Sequence, residues 1–193
     1  MEKQTIIALK FLLVMTILTG IIYPFFMTGV AQLTFHSKAN GSLIMKEGKI
    51  IGSELIGQKF DSIIYFWSRP SAIEYNPIPS CGSNFGPTSE KLKKQVTDRR
   101  VLFANNNSVS DTLSIPKEMI FASASGLDPH ISPEAVRMQA NRIAKARHLN
   151  ELQKNQLNTL VNSLIEYPQF GIFGESRINV FQLNLRTDSL FSE

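Results

Sequence analysis

The sequence predicts an α+β protein in which a single amino-terminal transmembrane helix is followed by one mixed α/β domain. Three observations predict it. The run FLLVMTILTGIIYPFFMTGVAQLTF, Phe11 to Phe35, contains no charged residue. Behind it, helix-capping residues alternate with short β-branched and aromatic runs. Finally, 193 residues suffice for one domain with a core plus an attachment, and hardly for two. The expected organisation is a tail and membrane helix over 1–35, a linker over 36–49 and a soluble domain over 50–193.

The apolar run meets the roughly 20 residues that a helix needs to cross a bilayer core. It is too long for the h-region of a cleaved signal peptide, about 7–15 residues, although Gly29-Val30-Ala31 has the small-x-small form of a cleavage site. A helix apolar on every face over this length would need a far larger protein to bury it. Phe11, Gly20, Pro24, Gly29 and Leu33 mark the span; Pro24 removes one backbone donor, and Gly20 and Gly29 permit close approach of a neighbouring helix. Lys3 and Lys10 precede the core of the run, and Lys38, Lys46 and Lys49 follow it, so the basic residues do not fix its orientation. A short tail before the helix and a long domain after it suit an anchor whose carboxy-terminal domain lies outside the cytoplasm.

Asn40-Gly41 and Gly48 make the linker turn-rich. Ile63 to Trp67, within SIIYFWSRPSA, is β-branched and aromatic and is expected as a strand that Arg69-Pro70 terminates. Pro77, Pro79, Gly82, Gly86 and Pro87 then shape a long loop that delivers the chain to Thr88, the expected N-cap of a helix with Glu90 in its first turn, running to about Leu102. NNNSVSD reads as a polar loop ending at Asp111, and IPKEMIFASASG as a short buried segment. Ser132 is an N-cap, Pro133 fits the first helical position and Glu134 suits the positive end of the dipole. Val136, Ala140, Ile143 and Ala144 share one face of that helix, while Arg137, Lys145 and Arg147 point elsewhere. Asn150 with Gln153 resembles a capping box, and Leu149, Leu152, Leu157, Leu160, Val161 and Leu164 repeat at helical spacing to Ile165. RINVFQLNL alternates through Ile178 and Val180 to Leu183 and Leu185 and is expected as a closing strand.

The net charge of +4 is spread along the chain, without a basic run interleaved with aromatics, which argues against nucleic acid as a partner. One cysteine, Cys81, excludes an intramolecular disulfide and a Cys-based zinc cluster. The motifs G-x-x-x-x-G-K-[ST], H-E-x-x-H, G-x-S-x-G and the Rossmann glycine pattern are all absent. A metal at Asp128-Pro129-His130 would need donors that the spacing does not supply. That stretch reads instead as a loop in which Asp128 and His130 bond backbone groups. GSNFGPTS, Gly82 to Ser89, is the better anion candidate, because glycines ahead of a helix can aim N–H groups at a phosphate, although it lacks the lysine of a P-loop. A membrane-anchored enzyme or ligand-binding domain is the alternative that these two loops keep open.

The strings LIGQKF, YFWSRPSA, GSNFGPTSEKL, SASGLDPHISPEAVRMQANRIAKAR and GESRINVFQLNL, behind one membrane helix, resemble the small C subunit of the Kdp family of potassium-transporting P-type ATPases. Phe85, where that family would have leucine, and Cys81 are small departures. The resemblance implies an accessory subunit in the cytoplasmic (inner) membrane that carries no catalytic residue, metal or tightly bound cofactor. ATP and K+ would be handled by the complex. Its partners would be a channel-like, potassium-selective A subunit and a B subunit that hydrolyses ATP through an aspartyl phosphate, whose ATP affinity the C subunit raises. The D-K-T-G-T motif of the hydrolysing subunit is absent here. On this reading Arg69, Ser83, Asn84, Gly86, Asp128, His130, Gln139 and Arg142 are candidates for contact with nucleotide or with a partner.

Overall fold

A computed structural model describes residues 2–110 and 114–191, which form two compact units, Met1–Ile51 and Gly52–Glu193. In the first unit, α1 (Glu2–Ile17), a π-helical turn (Leu18–Ile22) and α2 (Tyr23–Thr34) form a continuous apolar helix of 33 residues, with none of its side chains buried. At about 1.5 Å per residue it is roughly 50 Å long, more than the ~30 Å of a hydrocarbon core. It begins nine residues before Phe11 and carries Phe11, Gly20, Pro24, Gly29 and Leu33 along its length. Pro24 has no N–H and its ring crowds the carbonyl one turn back. The chain answers with the wider turn immediately before it, where the Tyr23 N–H reaches back to Leu18 O. A single-turn helix α3 (His36–Ala39) leads to strands β1 (Leu43–Lys46) and β2 (Lys49–Ser53), which pair with each other. Their connection, Glu47-Gly48, has positive φ at both residues, 53° and 75°, the geometry that matches hairpin twist.

The second unit is built on helices α4 (Glu90–Asn107), α5 (Pro133–Ala146), α6 (Glu151–Ser163) and α7 (Val180–Phe191). Each packs against the next in order. The antiparallel pair β3 (His130–Ile131) and β4 (Ile178–Asn179) ties the start of α5 to the start of α7, with His130 opposite Asn179 and Ile131 opposite Ile178. The core comprises Phe66, Phe103, Ile131, Val136, Ile143, Leu157, Val161, Ile178, Val180 and Leu183, all nearly or wholly inaccessible. Two caps are as expected from sequence. Ser132 accepts from Ala135 N with Pro133 in the first turn, and Asn150 and Gln153 form a reciprocal capping box.

Four expectations are corrected. Ile63–Trp67 is no strand: Ser62 to Tyr65 turn, with Tyr65 N donating to Ser62 O, and among the described residues Phe66 and Trp67 are paired by side chains from α5 and α7, described below, rather than by a strand. The cap of α4 is Ser89, whose side chain accepts from Leu92 N, and not Thr88. That helix also runs past Leu102 and takes up the start of the expected polar loop. Asn106 and Asn107 donate their side-chain amides to Leu102 O and Phe103 O, both at 2.8 Å, which spares these residues from competing with the helix. Asp111, at the end of that stretch, lies outside the described residues. The expected closing strand survives only as Ile178–Asn179, after which the chain turns into α7. Asn179 Oδ1 accepts from Gln182 N at 3.1 Å, an N-cap inside what looked like strand alternation. Met119 and Ile120, in and beside a 3₁₀ turn (Lys117–Met119), are buried as expected.

Candidate functional site

Ser62 to Tyr65 form a turn, closed by Tyr65 N donating to Ser62 O at 3.3 Å, which leads into Phe66; that residue is fully buried, and no strand pairs with it among the described residues. Buried backbone amides need partners, and two side-chain amides supply them in the manner of a strand. Asn184 of α7 accepts from Phe66 N at 2.8 Å and donates to Phe66 O at 2.9 Å. Gln139 of α5 accepts from Trp67 N at 2.8 Å and donates to Trp67 O at 3.3 Å. Two guanidinium groups complete the arrangement, with Arg142 donating to Ile63 O and Arg147 to Ile64 O. Arg142 also donates to Asn107 Oδ1 at 3.0 Å and to Gln139 Oε1 at 2.9 Å, and lies 4.3 Å from the Trp67 ring centre. Burial pulls its pKa down to about 10, which leaves it charged at neutral pH. Arg147 is anchored by Asp188 at 2.6 Å, and Asp188 also accepts from the Tyr65 hydroxyl. Gln139 and Arg142 therefore lie together, committed to the chain's own backbone. Sequence periodicity missed Asn184 and Arg147 as members of this cluster.

Arg69, Asp128 and His130 meet at a second place. Arg69 Nη1 is 2.8 Å from Asp128 Oδ2, while Asp128 Oδ1 accepts from His130 N at 3.0 Å and faces the imidazole Nδ1 at 3.7 Å. Two residues either side of a proline, bonded carboxylate to backbone N–H, make an Asx turn. Gly57 lets this turn close, since a Cβ there would stand 2.7 Å from Asp128 O. Tyr75 braces Arg69 from the other side by donating to its carbonyl oxygen. Burial pushes the Tyr75 phenol up to about 12, so it stays a donor. A cavity of about 790 Å³ opens here, lined by Arg69, Glu118, Asp128, His130, Ser132 and the stretch from Glu166 to Arg177.

Burial alone would raise the Asp128 carboxyl, but hydrogen bonds from His130 and Arg69 and the charge of Arg69 outweigh it and hold the pKa at about 2. Because the folded value lies below the unfolded one, the stabilisation is fully present above about pH 4 and is lost as pH falls towards 2. Asp128→Asn keeps an acceptor for His130 N but removes the charge. It is expected to cost about 1 kcal/mol at neutral pH, after allowing for the partial exposure of the pair. Thermal unfolding between pH 5 and 2.5 checks this: the variant should lose less stability on acidification than the parent. Parallel pH profiles would show that Asp128 does not carry the effect.

Ser83, Asn84 and Gly86 remain apart from both clusters, and none of them lines the 790 Å³ cavity. Asn84 is exposed in the left-handed region at φ 51°. Gly86 O accepts from Ser89 N at 3.0 Å, closing a turn directly before α4. Among the described residues, no group of three or more His, Cys, Asp or Glu side chains is disposed to hold a metal ion.

The family model described as K+-transporting ATPase, c chain, matches residues 5–189. The potassium-transporting ATPase KdpC subunit of Methylococcus capsulatus is 47% identical over 186 residues, covering 95% of this chain and 96% of the relative. Its counterpart from Dechloromonas aromatica is 45% identical over 186 residues, with 95% of each chain covered. The one from Geobacter metallireducens is 48% identical over 187 residues, covering 95% and 96%.

Proposed function

The chain belongs to the KdpC family, the c chains of K+-transporting ATPases, and from that premise we propose that it is a non-catalytic accessory subunit, which stabilises the complex and raises the ATP affinity of its hydrolysing subunit. Its partners are the potassium-selective A subunit and the ATP-hydrolysing B subunit, and it is held in the cytoplasmic membrane by the helix Glu2–Thr34. One observation carries the accessory reading. Gln139 and Arg142, the buried polar residues best suited to grip a ligand, spend their hydrogen bonds on Trp67, Ile63 and Asn107 of the same domain. This supports a rigid body that acts by contact.

With the domain from about residue 50 outside the cytoplasm, it stands across a hydrocarbon core of about 30 Å from cytosolic nucleotide. Its influence on ATP is then a coupling free energy through the partner subunits, for which about 1–3 kcal/mol is typical. Reciprocity requires ATP to tighten the hold of this subunit on the complex by the same factor. The complex purified with and without this chain should therefore differ roughly 5–150-fold in KM for ATP, with kcat changed much less. In intact cells, Asn155→Cys in a Cys81→Ser background should react with a membrane-impermeant maleimide. An unchanged KM would refute the coupling, and labelling only after lysis would place the domain inside and favour direct nucleotide contact.

A further inference from the structure

The stretch between α6 and β4 is an ordered hairpin. Glu166 and Arg177 exchange backbone hydrogen bonds at 2.9 and 3.0 Å and form an ion pair at 2.9 Å. Gln169 and Phe173 exchange two more, at 2.9 and 3.0 Å, nearer the tip. The tip itself is apolar and in water. Tyr167 is 72% exposed, Phe170 90%, Ile172 77% and Phe173 67%. Phe170 is held there at φ 54°, a conformation that a bulky residue adopts only at a cost in strain. Four large apolar side chains on one preformed turn are what a docking anchor requires, because little conformational freedom remains to be lost on binding.

The charges beside the tip say what it docks on. One wall of the 790 Å³ cavity is the hairpin, and that cavity carries the carboxylates of Glu118, Asp128, Glu166 and Glu175 against two guanidinium groups, Arg69 and Arg177. Arg69 is paired with Asp128 and Arg177 with Glu166. Among the described residues Glu118 and Glu175 have no cationic partner, and Glu118 accepts only from Ser132 N. An excess of negative charge beside the tip disfavours an anionic lipid surface and disfavours a second copy carrying the same carboxylates. It fits a protein surface with an apolar recess edged by lysine or arginine.

Taking the chain as an ATPase subunit, we infer that the hairpin Glu166–Arg177 is its anchor on another subunit of the same complex, Phe170 and Ile172 filling an apolar recess while a basic side chain of that subunit enters the cavity towards Glu118 and Glu175. The test uses the full chain co-expressed with its complex. A benzophenone maleimide attached through Phe170→Cys, in a Cys81→Ser background, should on irradiation of membranes give one protein adduct. Peptide mapping should identify it as a subunit that co-purifies with the unmodified chain. Phe170→Asp with Ile172→Asp should lower retention in the detergent-purified complex roughly tenfold or more. The domain's melting temperature should hold, since both side chains are exposed. Glu118→Gln with Glu175→Gln should weaken retention mainly at low salt. Adducts to lipid or to a second copy, or retention unaffected by the paired aspartates, overturn the inference while leaving the accessory function standing. Failure of the unmodified chain to co-purify with any ATPase subunit overturns both.

Discussion

Gln139→Leu is expected to lower the melting temperature of the domain by roughly 10–15 °C, corresponding to a loss of about 3–5 kcal/mol. Leucine is close to glutamine in volume, so the fully buried site is not emptied. What changes is hydrogen bonding: Trp67 N, Trp67 O and the Arg142 guanidinium each lose a partner. A buried polar group left unpaired costs about 1–3 kcal/mol, and partial relaxation keeps the total below the sum. Gln139→Glu separates this explanation from a role in ligand contact. It keeps an acceptor for Trp67 N and faces Arg142 with a carboxylate, forfeiting the side-chain donor to Trp67 O and Ala135 O, so the loss should be the smaller of the two. Were Gln139 a ligand contact alone, the leucine variant would melt with the parent and change only affinity.

Phe66→Ala should cost a similar 3–5 kcal/mol by a different route, through transfer of the ring and the cavity it leaves. The ring is wholly inaccessible, and the backbone on which it sits is pinned at both N–H and C=O by Asn184. Surroundings held in this way cannot collapse into the space, which places the cost towards the upper part of the range. Denaturant unfolding should show a lowered midpoint with the slope unchanged; a loss under about 1 kcal/mol would mean that the helices close over the gap. Combined with Gln139→Leu the two losses should not add, since both act on one clasped segment.

The starts of α5 and α6 were legible because capping is local: Ser132-Pro133 and Asn150 to Gln153 contain all the atoms that matter. The membrane-length helix was legible from composition alone, though not its π turn, which is the answer of the chain to Pro24. Ile63–Trp67 was misread because β-branched and aromatic residues also serve a turn, here Ser62 to Tyr65, that leads into a buried stretch, and they do not say what lies beside it. Here side chains lie beside it, more than seventy residues away in sequence. α7 was hidden for a related reason. Val180, Leu183, Asn184 and Thr187 form its buried face at helical spacing, but two of the four are polar and drop out of an apolar pattern. Asn179, three residues before Gln182, was the cue that could have revealed it. Arg69 and Asp128 were singled out separately, while their ion pair across 59 residues was beyond any reading of local pattern.

The amide clasp on Phe66 and Trp67 also bears on self-association. SIIYFW, from Ser62 to Trp67, is uncharged, rich in strand-forming residues and free of proline, the composition from which cross-β aggregates start. Once loosened from the domain, such a stretch would present the backbone of Phe66 and Trp67 as a template for another chain. Asn184 and Gln139 occupy those backbone groups first, so a foreign strand can add only after α5 and α7 have let go. The same two side chains that hold the domain together thus keep an aggregation-prone stretch out of circulation for as long as the domain stays folded.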